Sequence, residues 1–235
     1  MNETFNANGH DTAFTGTVPG TAPLLLRLFA NRPVEHLRYE QPLLPSGPES
    51  NQSVLVLNGA LRCVILLADG RRTVTRFSYQ GEVLDISPDR IGPCMVEAAS
   101  PTRISRVGRT AIERYSEENP QLRSQVAQWR SCEITSSLDH MLLLACKTAQ
   151  ERLCSFLIDF VIRNHLSVQN DVCLELPMCR RDIADHLGMT IETVSRTFTK
   201  LISSGALKLE NCRGRKTIVI KKPALLARLA AYDPE

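Results

Sequence analysis

Between Pro120 and Pro177 the chain contains neither glycine nor proline. Those two residue types are the usual helix terminators, one through its conformational freedom and the other through its missing N–H. An uninterrupted stretch of this length, with apolar residues recurring at helical period, predicts long helices. Two fit. The first runs from about Pro120 to Lys147, and along it Ala127, Arg130, Ile134, Ser137, Met141 and Leu144 form a heptad-spaced line, with Trp129 and Leu138 alongside. Apolar positions repeating every 3.5 residues make the seam of a parallel two-stranded coiled coil, which reads this helix as a homodimer interface. Arg130 and Ser137 interrupt the line, and packing against the chain's own β-domain is the competing reading. The second helix begins at Thr148. Thr148 and Glu151 have the spacing of a capping box, and Leu153, Phe156, Leu157, Phe160 and Val161 follow as one apolar stripe facing a C-terminal core.

Ahead of these helices the period is different. Residues 1–23 are rich in Asn, Thr, Gly and Pro and are expected to form a flexible tail. From residue 24 to 118, short apolar stretches alternate with turn residues. Val54–Leu57 and Leu61–Leu67 flank Asn58-Gly59, the strongest short hairpin signal, and Asp69-Gly70 leads into a third strand over Arg72–Phe77. Pro42, Pro45, Pro48, Pro88 and Pro93 punctuate the rest. The expectation is an antiparallel β-roll or barrel with one or two short helices near its start.

The segment Met178–Phe198 has the grammar of a helix-turn-helix. Ile183, Ala184 and Leu187 give a first helix one apolar face, Gly188 supplies a residue able to adopt positive φ in the tight turn, and Thr190 is a hydroxyl N-cap for a second helix. Ile191, Val194, Phe198 and Leu201 are expected to point inward. Glu192, Ser195, Arg196 and Thr199 are left outward, and their chemistry suits base edges: an Arg donates a bidentate pair to guanine, and a Glu accepts from the cytosine amino group. The alternative for Glu192 and Arg196 is a surface ion pair worth a few tenths of a kcal/mol. Gly205 ends the second helix. Ala206–Glu210 and Thr217–Ile220 then read as a β-wing around Asn211-Cys212-Arg213-Gly214. Arg213, Arg215 and Lys216 on the wing, with Arg180, Arg181, Thr190, Thr193, Thr199 and Lys200 near the helices, are candidates for the DNA backbone, where contacts position rather than specify.

Charge follows the same division. The chain has 235 residues and a net charge of only +3, but Leu176–Lys222 holds ten basic residues against four acidic ones, a local excess of six that leaves the remainder at −3. A basic end on a slightly acidic body is the footprint of a phosphate-binding module. Hydrophobic residues make up 43% and aromatics only 5%, so aliphatic side chains carry the packing. The N-terminus has neither the basic nor the apolar region of a secretory signal, and runs such as Met141–Cys146 are too short to span a bilayer; a cytoplasmic protein without membrane partner is expected. The eight cysteines have no CxxC or zinc spacing and read mostly as small buried hydrophobes. Cys179 differs: it opens a Cys-Arg-Arg-Asp box at a helix N-terminus beside Arg180 and Arg181, a setting that favours thiolate and makes it a candidate redox switch, with Cys212 second. Nucleophile-elbow, phosphate-loop, zinc-protease and dinucleotide motifs are absent from the sequence, so no enzyme is expected.

The run LPMCRRDIADHLGMTIETVSRTFTKLISSGAL resembles the CRP/FNR superfamily of bacterial transcription regulators, and its IETVSR core is similar to the FNR and FixK branch. SCEITSSLDHMLLLACKTAQERLCSFLIDF resembles the dimer helix of that family followed by the first helix of its DNA-binding domain, and the region around Gly81-Glu82 resembles its cyclic-nucleotide-binding-like β-roll. The resemblance implies an α+β chain: tail 1–23, β-roll 24–118, dimerisation helix 119–147 and winged helix-turn-helix 148–235. It also implies a homodimer on double-stranded DNA reading inverted TTGA-type half-sites through Glu192, Ser195 and Arg196, activation through RNA polymerase, and, for FixK-type members, genes of microaerobic respiration and nitrogen fixation. Where cyclic-AMP binders carry an Arg-hydroxyl pair, this chain has Gly92-Pro93, followed by Glu97, which argues against a cyclic phosphate. No cysteine precedes Cys63, so the ligands of an FNR-type iron–sulfur cluster are missing; no cofactor is expected. The competing reading is an effector- or haem-gated sensor, for which the histidines His10, His36, His140 and His165 show no pocket pattern.

Overall fold

The computed structural model describes residues 23–44, 50–88, 93–166, 171–212 and 215–230, with the side chains of 211, 212, 215 and 216 outside that description. The chain divides into two compact units between Ser136 and Ser137. The first comprises α1 (Pro23–Arg27), strands β1 (Val34–Leu37), β2 (Gln52–Asn58), β3 (Ala60–Leu66), β4 (Arg72–Tyr79), β5 (Val83–Asp85), β6 (Met95–Ala98) and β7 (Thr102–Gly108), then α2 (Arg109–Glu118) and the beginning of α3 (Pro120–Cys146). Pro23, expected in the tail, opens α1; α2 lies where only β-roll was expected.

The strands form two antiparallel sheets, ordered β1-β7-β2-β5 and β4-β3-β6. Side chains alternate across a strand, so β2 sends Val54 and Val56 into one core with Leu61, Cys63, Leu84, Val96 and Ile104. It sends Leu55 to the other face, where Leu25, Phe29, Val107, Ile112, Leu122, Val126 and Trp129 gather. Burial on both faces explains why β2 reads as a continuous apolar run. Three polar contacts tie one side of α3 to this unit: Gln125 Oε1 accepts from Leu24 N at 3.0 Å, Trp129 Nε1 donates to Val83 O at 3.2 Å, and Arg76 Nη1 donates to Glu133 Oε1 at 2.5 Å.

Asn58-Gly59 does not close a hairpin. β2 pairs with β7 and β5, whereas β3 pairs with β4 and β6, so these two residues form the corner at which the chain changes sheets. Gly59 has φ +85°, and a Cβ there would sit 2.5 Å from Pro101 O. The hairpin is instead the next connection: Leu67 N donates to Arg71 O at 2.8 Å and Gly70 N to Leu67 O at 2.9 Å, joining β3 to β4. Glu97 is also committed. It is buried, and its Oε1 accepts from Arg62 Nε at 2.7 Å and Arg72 Nη2 at 3.2 Å.

The second unit holds the end of α3, then α4 (Ala149–Arg163), β8 (Val172–Leu174), α5 (Arg180–Leu187), α6 (Ile191–Ser203), β9 (Leu207–Cys212), β10 (Arg215–Ile220) and α7 (Pro223–Leu229). The expected capping box is present at α4, with Thr148 N donating to Glu151 Oε2 at 2.7 Å and Glu151 N to Thr148 Oγ1 at 3.4 Å. The Thr148 N–H and then the Thr148 hydroxyl, which also donates to Oε2 at 2.8 Å, hold the Glu151 carboxyl below its usual pKa. Leu153, Phe156, Leu157, Phe160 and Val161 are buried as their spacing predicts. The wing is larger than expected, a three-stranded antiparallel sheet ordered β8-β10-β9, and α7 was not foreseen.

The corner at Gly59 gives a direct test. Gly59→Ala must carry a side chain at positive φ and against backbone, so it is expected to lose at least about 2 kcal/mol, read as a fall of several degrees in the thermal midpoint; an unchanged midpoint would contradict the geometry.

Candidate DNA-binding surface

The helix-turn-helix is built at two helix ends. α5 closes at Gly188, φ 59° and ψ 42°, whose N–H bonds Ala184 O. A Cβ on Gly188 would meet Leu144 Cδ2 at 3.4 Å and Arg152 Nη1 at 3.5 Å. These are ordinary contacts, so the left-handed backbone rather than space calls for glycine. Thr190 caps α6, accepting from Thr193 N at 3.2 Å. Within α6, Val194, Phe198 and Leu201 are buried as expected, with Thr197. Ile191, the first residue of the helix, is not: it is 42% exposed.

Glu192, Ser195, Arg196, Thr199 and Lys200 are exposed on α6 and Thr193 is half-buried. Arg196 Nη2 donates a long 3.4 Å bond to Thr193 Oγ1, while Thr199 Oγ1 donates to Ser195 O at 3.1 Å. The Glu192 carboxyl is held below its ordinary pKa by its own backbone N–H, then by the Thr190 hydroxyl and the Arg196 charge. At neutral pH this surface therefore offers a carboxylate acceptor, a hydroxyl and a guanidinium within two turns.

The cations around it are fewer than the sequence count suggests. Arg181 is exposed. Lys208 pairs with Glu210 at 2.8 Å and Lys221 with Asp171 at 2.5 Å. Arg180, expected near phosphates, is half-buried with its guanidinium carbon 3.2 Å from the Phe198 ring centroid, and burial lowers its pKa to about 10. Arg213 lies outside the described residues, as do the side chains of Arg215 and Lys216 and that of Cys212.

Arg152 is a residue sequence reasoning missed. Its Nε donates to Lys147 O at 2.8 Å, Nη2 to Leu144 O at 2.9 Å and Nη1 to Leu187 O at 2.9 Å. One guanidinium thus serves the C-terminal carbonyls of α3 and of α5, the last of them at the entrance to the turn. The only available sequence signal was its place one position after the capping-box glutamate.

The positions of the seam expected on α3 differ in exposure. Trp129 belongs to the β-roll core, Arg130 is half-buried, and Leu144 is half-buried beside Gly188. Ala127, Ser137 and Leu138 are exposed as expected, and Ile134 (65%), Leu138 (52%), Met141 (63%) and Leu142 (60%) leave an apolar stripe uncovered. The cysteines also depart from expectation. Cys63 and Cys154 are buried, and burial raises each thiol to about 12, but Cys146, Cys173 and Cys179 are exposed. At Cys179 the thiol donates to Asp182 Oδ2 at 3.3 Å, and the same oxygen accepts from Cys179 N at 3.3 Å. The thiol at this position is thus paired with a carboxylate of its own helix, and the neighbouring Arg180 is turned to Phe198. His36 and His165 are exposed, His140 stacks on His186 at 4.2 Å, and His10 lies outside the described residues. Among the described residues no group of His, Cys, Asp or Glu is placed to hold a metal, and no helix is long and apolar enough to cross a membrane.

A capped second helix with an exposed polar face, set by a glycine turn and followed by a β-wing, defines a winged helix-turn-helix DNA-binding protein. Comparisons agree. The Crp-like helix-turn-helix domain model matches residues 151–229. The nitrogen fixation regulation protein FixK of Bradyrhizobium diazoefficiens is 36% identical over 154 residues, 66% of this chain and 65% of that protein. FixK of Azorhizobium caulinodans is 35% identical over 176 residues, 74% and 70%. The solved structure of FixK2 from Bradyrhizobium japonicum superposes with TM-score 0.71 at 31% identity, covering 86% of this chain and 98% of that one. The chain belongs to the CRP/FNR family of transcription regulators, in its FixK-type branch.

The Arg152 hub predicts a local effect. Arg152→Met removes three bonds from a charged donor and is expected to cost about 3 kcal/mol. Amide hydrogen exchange should show this as lost protection across α5 and α6; protection equal to the parent's would exclude the hub.

Proposed function

We propose that the chain acts as a homodimeric, sequence-specific activator that lays α6 of each subunit in successive major grooves of an inverted TTGA-type repeat. Glu192, Ser195 and Arg196 read bases, and Ile191 offers an apolar surface suited to a thymine methyl. Thr190, Thr193, Thr199, Lys200, Arg181 and the wing residues Arg213, Arg215 and Lys216 hold the backbone. The dimer forms through Ile134, Leu138, Met141 and Leu142, with Ala127 and Ser137 on its margin. It works without cyclic nucleotide or iron–sulfur cluster, contacts RNA polymerase, and serves genes of microaerobic respiration and nitrogen fixation, the second of which its FixK relatives are named for. The observation that carries the reading is the exposure of an acid, a hydroxyl and a guanidinium on α6 opposite buried Val194, Phe198 and Leu201.

Oxidation at Cys179 is a second element of this proposal. The exposed sulfur lies 3.3 Å from a buried carboxylate, so a sulfinate or sulfonate would place negative oxygens against Asp182 and before the DNA phosphates. Peroxide is expected to abolish operator binding in the parent protein and spare Cys179→Ser; equal loss in both rejects the switch.

For base reading, a gel shift at fixed salt with a palindromic TTGA-type duplex is the test. Arg196→Ala should weaken binding by about 1–3 kcal/mol and relax the guanine preference. An alanine variant that discriminates like the parent would overturn the assignment of α6.

A further inference from the structure

Arg180 is the first residue of α5, and Phe198 lies on the buried face of α6. The guanidinium carbon stands 3.2 Å from the ring centroid, and Nη1 is buried without a hydrogen-bond partner. This is an unfavourable place for a cation. The start of a helix is the positive end of its dipole, and partial burial strips the charge of water. The negative face of the Phe198 ring supplies attraction at that point, and it is stronger for a desolvated cation than for a solvated one. Phe198 is fixed by its own burial with Val194 and Leu201. The contact therefore bridges the two helices of the motif.

We propose that Arg180 is a positioning residue for the DNA-reading helix: seated over Phe198, its guanidinium sets the roll of α6 against α5, and it is not a phosphate contact. The proposal rests on the reading of α6 given above. Successive residues of a helix are about 100° apart, so a small roll about the axis turns Glu192, Ser195 and Arg196 together and misaligns every base-edge bond at once. Phosphate contacts made by other residues tolerate such a roll better, because they depend on charge and proximity rather than on bond direction. Arg181, the next residue of α5, is exposed.

The two roles separate experimentally in the full-length dimer, titrated against a palindromic TTGA-type duplex and against the same duplex with the half-site guanines replaced, over a range of salt. A positioning role predicts that Arg180→Met lowers the affinity ratio between the two duplexes about tenfold while the slope of log affinity against log salt stays unchanged. Arg180→Lys keeps the charge but not the planar group, and should behave like the methionine variant. Phe198→Leu should produce the same loss, and the double variant should be no worse than either single one, the mark of a coupled pair. A phosphate role predicts the reverse: a slope shallower by about one per subunit in Arg180→Met, rescue by lysine, an unchanged ratio in Phe198→Leu, and additive effects. That pattern overturns the proposal. Should Phe198→Leu fail to fold, the salt slopes of the methionine and lysine variants decide alone. Arg196→Ala serves as the control: if it leaves discrimination intact, the reading of α6 falls and this proposal with it, whereas loss there combined with the phosphate pattern at Arg180 overturns the positioning role only.

Discussion

One guanidinium stands at the centre of the C-terminal unit. Helix C-termini carry carbonyls with no partner inside the helix, and the dipole leaves that end negative. α3 and α5 both end beside α4, and Arg152 bonds Leu144 O and Lys147 O of the one and Leu187 O of the other. A cation shared between two negative ends offsets the cost of bringing them together. Lys147 does the same for a third: its Nζ donates to Ser155 Oγ at 2.7 Å and to Ala230 O beyond α7 at 3.0 Å. With Leu187 O held, the chain must turn at once, and Gly188 in the left-handed region followed by the Thr190 cap is how it does so. The outward face of α6 follows from that fixed turn.

The signals that sequence carried well are those completed within a few residues. Thr148 with Glu151, Thr190 with Thr193, and Gly188 with Ala184 each satisfy a helix end by local geometry, and each stands where its spacing put it. The buried stripe of α4 is equally local in cause, because helical period alone decides which residues share a face. What sequence could not carry is partner choice. Asn58-Gly59 has hairpin chemistry, yet the strands on either side of it pair elsewhere, since the turn residues are equally suited to a corner between sheets. β8 is three residues long and exists because β10 is there to pair with it. Arg152 looks like any surface arginine on an amphipathic helix until three carbonyls from outside its own helix converge on it.

The same limit governs the charge argument. A count of ten cations against four anions treats every cation as available. The fold spends several on itself: Arg180 on Phe198, Lys208 on Glu210, Lys221 on Asp171. Exposed ion pairs are weak and reorganise readily, so Lys208 and Lys221 keep some capacity for phosphate. Arg180 is different in kind, because leaving the ring would forfeit its contact with a buried side chain. Net charge located the nucleic-acid-binding end of the chain correctly, while the number of phosphates it neutralises has to be read from burial.

α3 shows how a heptad line is divided between competing demands. In its first half the side that carries Leu122, Gln125, Val126, Trp129 and Glu133 is occupied by the β-roll, through apolar packing and three polar ties. That commitment removes Trp129 from any intermolecular seam. Beyond it Ile134, Leu138, Met141 and Leu142 repeat at i, i+4, i+7 and i+8, which keeps them on one face, and all four are more than half exposed. Single exposed apolar residues are normal, but a contiguous stripe marks an interaction surface. A helix that spent its whole apolar content on its own domain would have no reason to stay apolar there. The competing readings of this helix, own core or dimer seam, are therefore not exclusive: packing on the β-roll uses the first half and leaves these four side chains exposed.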